Sequence, residues 1–331
     1  MAATTRRRAI PVKGASAALF PHNVRPMLAT LGDRPFDHKD WIFETKWDGY
    51  RAIAEVQKGR VRLYSRYGQS FAERYAPVVA SLKSLGHDAV LDGEVVVFDE
   101  FGRSQFQLLQ NYQRAPQGRL TYCVFDLLYL DGHDLTDLAL VKRKRALQSL
   151  VKKRKGILFS EHIEGSGIAF FEAAVAHGLE GVMAKRAASL YYPGERSRDW
   201  LKVKTRQRQE AVIGGFTDPR RTRKEFGALI LGVYEGKDLI YIGHTGSGFN
   251  TQSLIDVRKR LRRLETSKCP FRDLPKTNMP VHWVRPKLVC EVEFQEWTSD
   301  NRMRIPIFVG LRDDMPAGAV KRERALHVKA S

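Results

Sequence analysis

Between two strand-like runs at 41–43 and 52–56 lies the segment Glu44-Thr45-Lys46-Trp47-Asp48-Gly49-Tyr50-Arg51. It puts a lysine, an acid, a glycine and an arginine within six consecutive positions. Such a set can do nucleophilic chemistry at phosphorus. The Lys46 amine attacks, Gly49 lets the backbone approach a nucleotide, and Arg51 holds an anion or a ribose. A free lysine has a pKa of about 10.4 and is almost wholly protonated near neutrality. Its use as a nucleophile therefore calls for neighbouring cations, other lysines and a bound divalent metal, to lower that value. Taken alone, these residues fit equally a surface loop with a salt-bridged lysine and an Asp-Gly turn.

Three further stretches carry charge inside an apolar pattern. Asp92 and Glu94 interrupt the apolar run 89–99. Two apart in a strand, they project to one face, and buried strands seldom carry acids without a partner or a task. In 200–204, Leu201 and Val203 alternate with Lys202 and Lys204, so two lysines share a face and repel unless an anion lies between them. A triphosphate is such an anion, and the same lysines would help to depress the pKa of Lys46. The segment Glu180-Gly181-Val182-Met183-Ala184-Lys185 holds an acid and a lysine five apart. A regular strand sends them to opposite faces, so a shared pocket requires a bend, for which Gly181 is the natural place.

These segments, together with Ser65-Arg66-Tyr67-Gly68, the apolar run 120–129 and Phe308-Val309-Gly310-Leu311-Arg312-Asp313-Asp314-Met315, resemble the motifs of the covalent nucleotidyltransferases. That group comprises ATP-dependent DNA ligases, RNA ligases and capping enzymes. More narrowly, the chain from about Arg25 to about Glu323 looks like the ligase domain of the bacterial ATP-dependent ligases used in end joining. The resemblance implies an α+β fold. A nucleotidyltransferase (ATP-grasp-like) adenylation domain of antiparallel sheets with helices would be followed by an OB-fold β-barrel. It further implies that Lys46 becomes joined to AMP. Glu44, Arg51, Arg66, Glu94, Phe125, Lys185, Lys202 and Lys204 would surround the ATP or AMP. Within that set Arg66 would meet a phosphate or the nick, Phe125 would stack on the adenine, and Lys185 would bind the α-phosphate. Glu180 and Glu94 would serve a catalytic Mg2+ or Mn2+. Arg312 and Asp314 fall in a motif that orients the pyrophosphate leaving group. The family pattern there ends Arg-x-Asp-Lys, and this chain has Met315 where the lysine belongs.

Of 331 residues, 56 are basic and 37 acidic, a net charge of +19. A chain this basic is expected to bind a polyanion, with steep salt sensitivity. Nicked double-stranded DNA is the expected partner, engaged by a monomer, with a Ku-like end-binding protein added by analogy. ATP is expected rather than NAD, because no extra cofactor-binding segment precedes the lysine motif and no zinc spacing follows it. Cys123, Cys269 and Cys290 are too few and too scattered for a disulfide framework or a zinc site. That usage fits a reducing cytosol, here a bacterial cytoplasm and nucleoid. No apolar run approaches the length of a membrane span. Residues 1–32 contain no acid, and Pro11 and Lys13 interrupt any signal-peptide core. A basic flexible arm is expected over 1–22, although an organellar transit peptide has a similar composition.

The elements that must hold these side chains follow from periodicity. Helices are expected at 71–85, 140–151, 170–177 (with Gly178 as cap) and 251–264. On 140–151, Leu140, Leu147, Leu150 and Val151 turn inward, and the run Lys142-Arg143-Lys144-Arg145 reads as a solvated face. The apolar pattern breaks at 205–210, which sets the adenylation domain at 23–207, the OB-fold domain at 208–320 and a tail at 321–331. Strands at 211–216, 227–234, 239–243, 289–297 and 304–309, about five in all with one basic helix, suit a small barrel. Two rival readings stand beside the DNA ligase. One is an RNA ligase or capping-type enzyme, and the other is a weakly active DNA-binding relative, suggested by Met315.

Overall fold

A computed structural model of the chain describes residues 10–219 and 223–327. The chain divides into two compact units, Met1–Thr205 with Ala325–Ser331, and Arg206–Arg324. In order, the first unit contains β1 (Ser16–Ala17), β2 (Leu28–Leu31), β3 (His38–Thr45), β4 (Tyr50–Gln57), β5 (Arg60–Ser65), α1 (Ala76–Lys83), β6 (Ala89–Phe98), α2 (Phe106–Asn111), β7 (Arg119–Leu130), β8 (His133–Asp134), α3 (Leu140–Val151), β9 (Ile157–Phe159), β10 (His162–Gly165), α4 (Gly167–Ala176), β11 (Gly181–Arg186) and β12 (Arg196–Lys204).

Two sheets result. One has the order β1-β8-β7-β6-β4-β5 with β9 on β7, and the other has the order β10-β3-β11-β12-β2. Pairing is antiparallel apart from β12 with β2 and β7 with β9. The apolar, β-branched runs of β6 and β7 form the middle of the larger sheet and are buried nearly throughout. The smaller sheet alternates. Phe43, Val182, Ala184 and Leu201 pack on one face with Phe36 and with Ala174 of α4. Ile42 and Trp200 face the other way, into a core with Ile53, Val90, Phe125 and Leu128 of the larger sheet. The polar side chains of the site share that second face.

Several sequence expectations change here. Residues 10–22 are not a free arm. Ser16–Ala17 pairs with His133–Asp134, and Phe20 meets Tyr129 edge-on at 5.0 Å. The expectation for residues 1–9 lies outside the described residues. The helix expected from 71 starts at Ala76, because Pro77 suits a first helical turn and no later position. On α3, Arg143 and Lys144 are buried, at 0% and 1% exposure. The expected tail 321–331 is split. Lys321–Arg324 stays with the second unit, and Leu326 returns to the first, its N–H donating to Leu31 O at 2.7 Å.

The second unit is an OB-type barrel of β13 (Gln207–Thr217), β14 (Leu229–Glu235), β15 (Asp238–Thr245), α5 (Thr251–Arg262), β16 (Glu265–Thr266), β17 (Val281–Val284), β18 (Val289–Phe294) and β19 (Ile307–Leu311). β13 is long enough to pair with β14, β17 and β18. The expected strands lacked β16 and β17, which at two and four residues are too short to show a period. Asn250 and Ser253 close a capping box at the start of α5. Among the described residues no helix is long and apolar enough to cross a membrane.

Candidate active site

Register in the smaller sheet assembles the site. Glu44, Met183 and Lys202 form one cross-strand row, and Ile42, Lys185 and Trp200 form the next. Lys204 stands opposite Gly181, and the Lys46 N–H donates to Gly181 O at 3.0 Å. Directly opposed residues share a face. One face therefore carries Glu44, Lys185, Lys202 and Lys204, with Lys46 at the end of β3. Lys202 and Lys204 are half-buried between the buried Leu201 and Val203, as the alternation predicts.

Lys46 is 18% exposed and its Nζ pairs with Glu180 Oε1. The bend anticipated at Gly181 is present, at φ 155°. A Cβ there would lie 2.3 Å from Val203 O, so only glycine fits. Glu180, just before the bend, meets Lys46, while Lys185, five residues on, meets Glu44. The two ion pairs thus sit side by side, one on Glu44 in β3 and one on Lys46 just beyond its end.

Glu44 is 1% exposed and lies between two ammonium groups. Lys144 Nζ is 2.8 Å from Oε1 and Lys185 Nζ is 2.9 Å from Oε2. Burial opposes the charged carboxylate, but Lys144 and Lys185 outweigh it and hold Glu44 below the usual carboxylate range. Burial also pulls Lys185 below the ordinary lysine range, against the restoring pull of Glu44. Lys185 Nζ lies 4.3 Å from the Phe125 ring centroid and 4.2 Å from that of Trp200. Phe125 is 7% exposed, and the Arg51 guanidinium lies 4.7 Å from the same ring. Its ring is thus packed by two cations within a core cluster.

On the larger sheet, Arg51 stands opposite Glu94, and Asp92 lies diagonally across on the same face. Arg51 donates to both Asp92 oxygens, from Nε at 2.6 Å and Nη2 at 2.5 Å, and Tyr191 donates to Asp92 Oδ2 at 2.6 Å. Arg51 is thereby a fixed cation, held on the carboxylate of Asp92 and on the Met27 carbonyl oxygen. A Cβ on Gly49 would meet Val95 O at 2.2 Å and Glu94 Cγ at 3.1 Å, so this glycine also lets the loop lie close on β6. Arg66 stands in the turn after β5, its guanidinium 5.1 Å from the Tyr67 ring centroid.

Among the described residues no three His, Cys, Asp or Glu side chains converge as a metal cage. Glu180 pairs with Lys46, and Glu94 stands opposite Arg51 on the larger sheet. In the second unit, Arg312 donates to Asp314 through Nε and Nη2, both at 2.9 Å, and to Glu291 at 3.0 Å. Asp313 is held by Arg260 of α5, and Met315 packs against the barrel core.

Sequence reasoning missed Lys144 and the buried pair Arg143–Asp126, whose two nitrogen–oxygen distances are both 2.8 Å. The signal was in the spacing. Positions 143 and 144 follow Leu140 by three and four residues and precede Leu147 by four and three, so they lie on the inward face. It also missed His162, opposite Glu44 in the sheet, whose buried Nδ1 has no hydrogen-bond partner. Burial, and then Lys144, lower its pKa.

The family model described as "ATP dependent DNA ligase domain" matches residues 26–204, and "ATP dependent DNA ligase C terminal region" matches 222–315. The chain is 40% identical over 314 residues to the "Multifunctional non-homologous end joining protein LigD" of Pseudomonas aeruginosa, covering 92% of this chain and 37% of that protein. It spans well under half of that relative and of the Mycolicibacterium smegmatis LigD, where it covers 39% at 38% identity. The "SPbeta prophage-derived DNA ligase-like protein LigB" of Bacillus subtilis is 28% identical over 87% of this chain and 99% of its own length. A solved structure, "mycobacterial DNA ligase D complexed with ATP and MES", superposes with a TM-score of 0.69 at 37% identity, covering 91% of this chain and 99% of that one.

Proposed function

The chain belongs to the ATP-dependent DNA ligase family, and from that premise we propose that it seals 5′-phosphate/3′-hydroxyl nicks in duplex DNA through a lysyl-AMP intermediate on Lys46. The observation that carries the reading is the shared sheet face. It sets the Lys46 amine against Glu180, with Glu44 and Lys185 beside it and Lys202 and Lys204 on the same face.

In the first step the Lys46 Nζ attacks the α-phosphorus of ATP. A nitrogen–phosphorus bond forms, and the bond to the pyrophosphate oxygen breaks. Glu180, already paired with this amine, orients it and stands where its proton leaves. Lys185, Lys202 and Lys204 take up the phosphate charge, which is where most of the rate gain arises. Phe125 offers its ring to the adenine once Lys185 has moved from it to the phosphate, and Arg51 binds the ribose side. Glu44 faces the base, and Arg66 a phosphate of the nucleotide or nick. Glu94 and Glu180 would hold Mg2+ or Mn2+, which would supply charge neutralisation at the phosphates. Arg312 and Asp314 serve the same step by orienting pyrophosphate. The AMP then passes to the 5′-phosphate of the nick, and the 3′-hydroxyl displaces it to join the strand.

End joining is the setting we propose, since the relatives whose printed names include it match over about nine tenths of this chain. A Ku-like end-binding partner, a monomeric enzyme and a bacterial cytoplasm belong to the same proposal. The decisive experiment is labelling with α-labelled ATP. Wild type is expected to form an enzyme–AMP adduct and Lys46→Ala none. An unchanged adduct would remove Lys46 from the role. Gel sealing of a nicked duplex, with ATP and NAD side by side, tests the cofactor. A second reading, a weakly adenylating nick-binding relative, has one observation behind it, the packing of Met315 into the barrel core. Tight nick binding without adduct formation would favour it.

A further inference from the structure

We propose that Lys144 is a positioning residue for nucleotidyl transfer, the standing counter-ion of Glu44 that lets Lys185 leave this carboxylate for the phosphate. The inference rests on the reading above, in which Lys185 meets the α-phosphate of ATP.

The two lysines on Glu44 are held in different ways. Lys144 Nζ donates to the Ser160 carbonyl oxygen at 2.8 Å, which holds it 2.8 Å from Glu44 Oε1 as an ion pair without hydrogen-bond alignment, and it lies 4.6 Å from the Phe159 ring centroid. Its helix is fixed one residue earlier, where Arg143 grips Asp126. Lys144 is 1% exposed and has a second oxygen anchor besides the carboxylate. Lys185 is equally buried but has Glu44 Oε2 at 2.9 Å, with the Phe125 and Trp200 rings as its other neighbours. Aromatic faces hold a cation more loosely than a second oxygen does. Lys185 is therefore the exchangeable member. Its departure would strand a buried charge if it were the only cation on Glu44, and a buried carboxylate that loses its partner is strongly unfavourable. With Lys144 in place the carboxylate remains paired, and an arriving triphosphate gives Lys185 one anion for another.

Single-turnover adduct formation in the full chain, followed over a range of ATP concentrations, tests this. Lys144→Met is expected to raise the ATP concentration for half-maximal rate about 10²-fold, as a misplaced binding group does. Lys144→Arg should restore it to within about fivefold of wild type, since the positive charge returns. The effect runs through Glu44. In a Glu44→Gln background, adding Lys144→Met should change half-saturation by less than about twofold. That pair removes the charges of Glu44 and Lys144 together and leaves neither facing a lost partner, so it stays informative if Lys144→Met alone fails to fold. A tenfold rise in the Glu44→Gln background would overturn the proposal, as would a folded Lys144→Met protein with the wild-type ATP dependence. A merely structural lysine would lower the melting temperature and the active fraction and leave half-saturation where it was. Failure of wild type to form any adduct would instead bring down the reading of Lys46, so the two failures are distinguishable.

Discussion

Two ion-pair regions in the first unit use the same kinds of charge to opposite ends. Beneath α3, Arg143 and Asp126 are both fully buried, and the guanidinium also donates to the carbonyls of Leu138 and Ser189. Four donor contacts from a flat, rigid fork leave it one arrangement. At the end of β3, Lys46 meets Glu180 through a single ammonium, and Lys185 meets Glu44 in the same way. A point charge on a flexible stem can change partner without tearing a network. Arg51 on Asp92 and Arg312 on Asp314 and Glu291 repeat the first pattern. The lesson is a division of labour, in which forked arginine pairs brace the walls and the singly held lysines, Lys46 and Lys185, are the partners that can exchange.

The largest effect tests the brace. Arg143→Leu strands Asp126 in the core and should cost about 3–5 kcal/mol, read from the urea midpoint at constant m-value. A loss under about 1 kcal/mol would mean that this pair, too, is exchangeable. Next comes the moving partner. Lys185→Arg keeps the charge but replaces a point donor with a fork, so adduct formation should fall about 100-fold, or about 2.7 kcal/mol in barrier. The bulkier fork in this buried site should also cost about 1–3 kcal/mol of stability, so rates are compared at temperatures where both proteins are folded. An arginine that adenylates at the wild-type rate would erase the contrast. Met315→Lys comes third. Withdrawing a partly buried thioether from the barrel core should cost about 1 kcal/mol, and adduct formation should quicken if the family's cation is what this chain lacks. The smallest effect concerns pH. Glu44 has a depressed pKa when folded, so its stabilisation is present above the ordinary carboxylate pKa of about 4.3 and is lost as pH falls through the folded value. Glu44→Gln should flatten the acid limb of stability below that point, measured by chemical denaturation from pH 5 downward. An acid limb of unchanged slope would show that Glu44 is not anchored by its lysines.

Much of this was legible in the chain. The Lys202–Lys204 alternation follows from strand geometry and charge repulsion, and the bend at Gly181 from strand geometry once Glu180 and Lys185 share a pocket, while the weight on the lysine motif came from its resemblance to the family. The unit boundary at Thr205–Arg206 lies beside the break in apolar pattern at 205–210. What escaped was chiefly tertiary. A run of four cations on α3 looks solvated by composition, and only its phase against Leu140 and Leu147 tells that two of them are interior. The packing of Gly49 on β6 escaped because local sequence does not show that β6 runs beneath it. Segment 10–22 looked free because its anchor, β8, is more than a hundred residues away.

Gly181 acts as punctuation in the reading of a strand. Strict in–out counting would deliver position 180 to the greasy side along with Val182 and Ala184, leaving Lys46 without its acid. One residue without a side chain resets the count and lets neighbouring letters be spelled onto the wet side. Position 181 should thus be intolerant of alanine in any saturation scan, even though glycine has no side chain to take part in the chemistry.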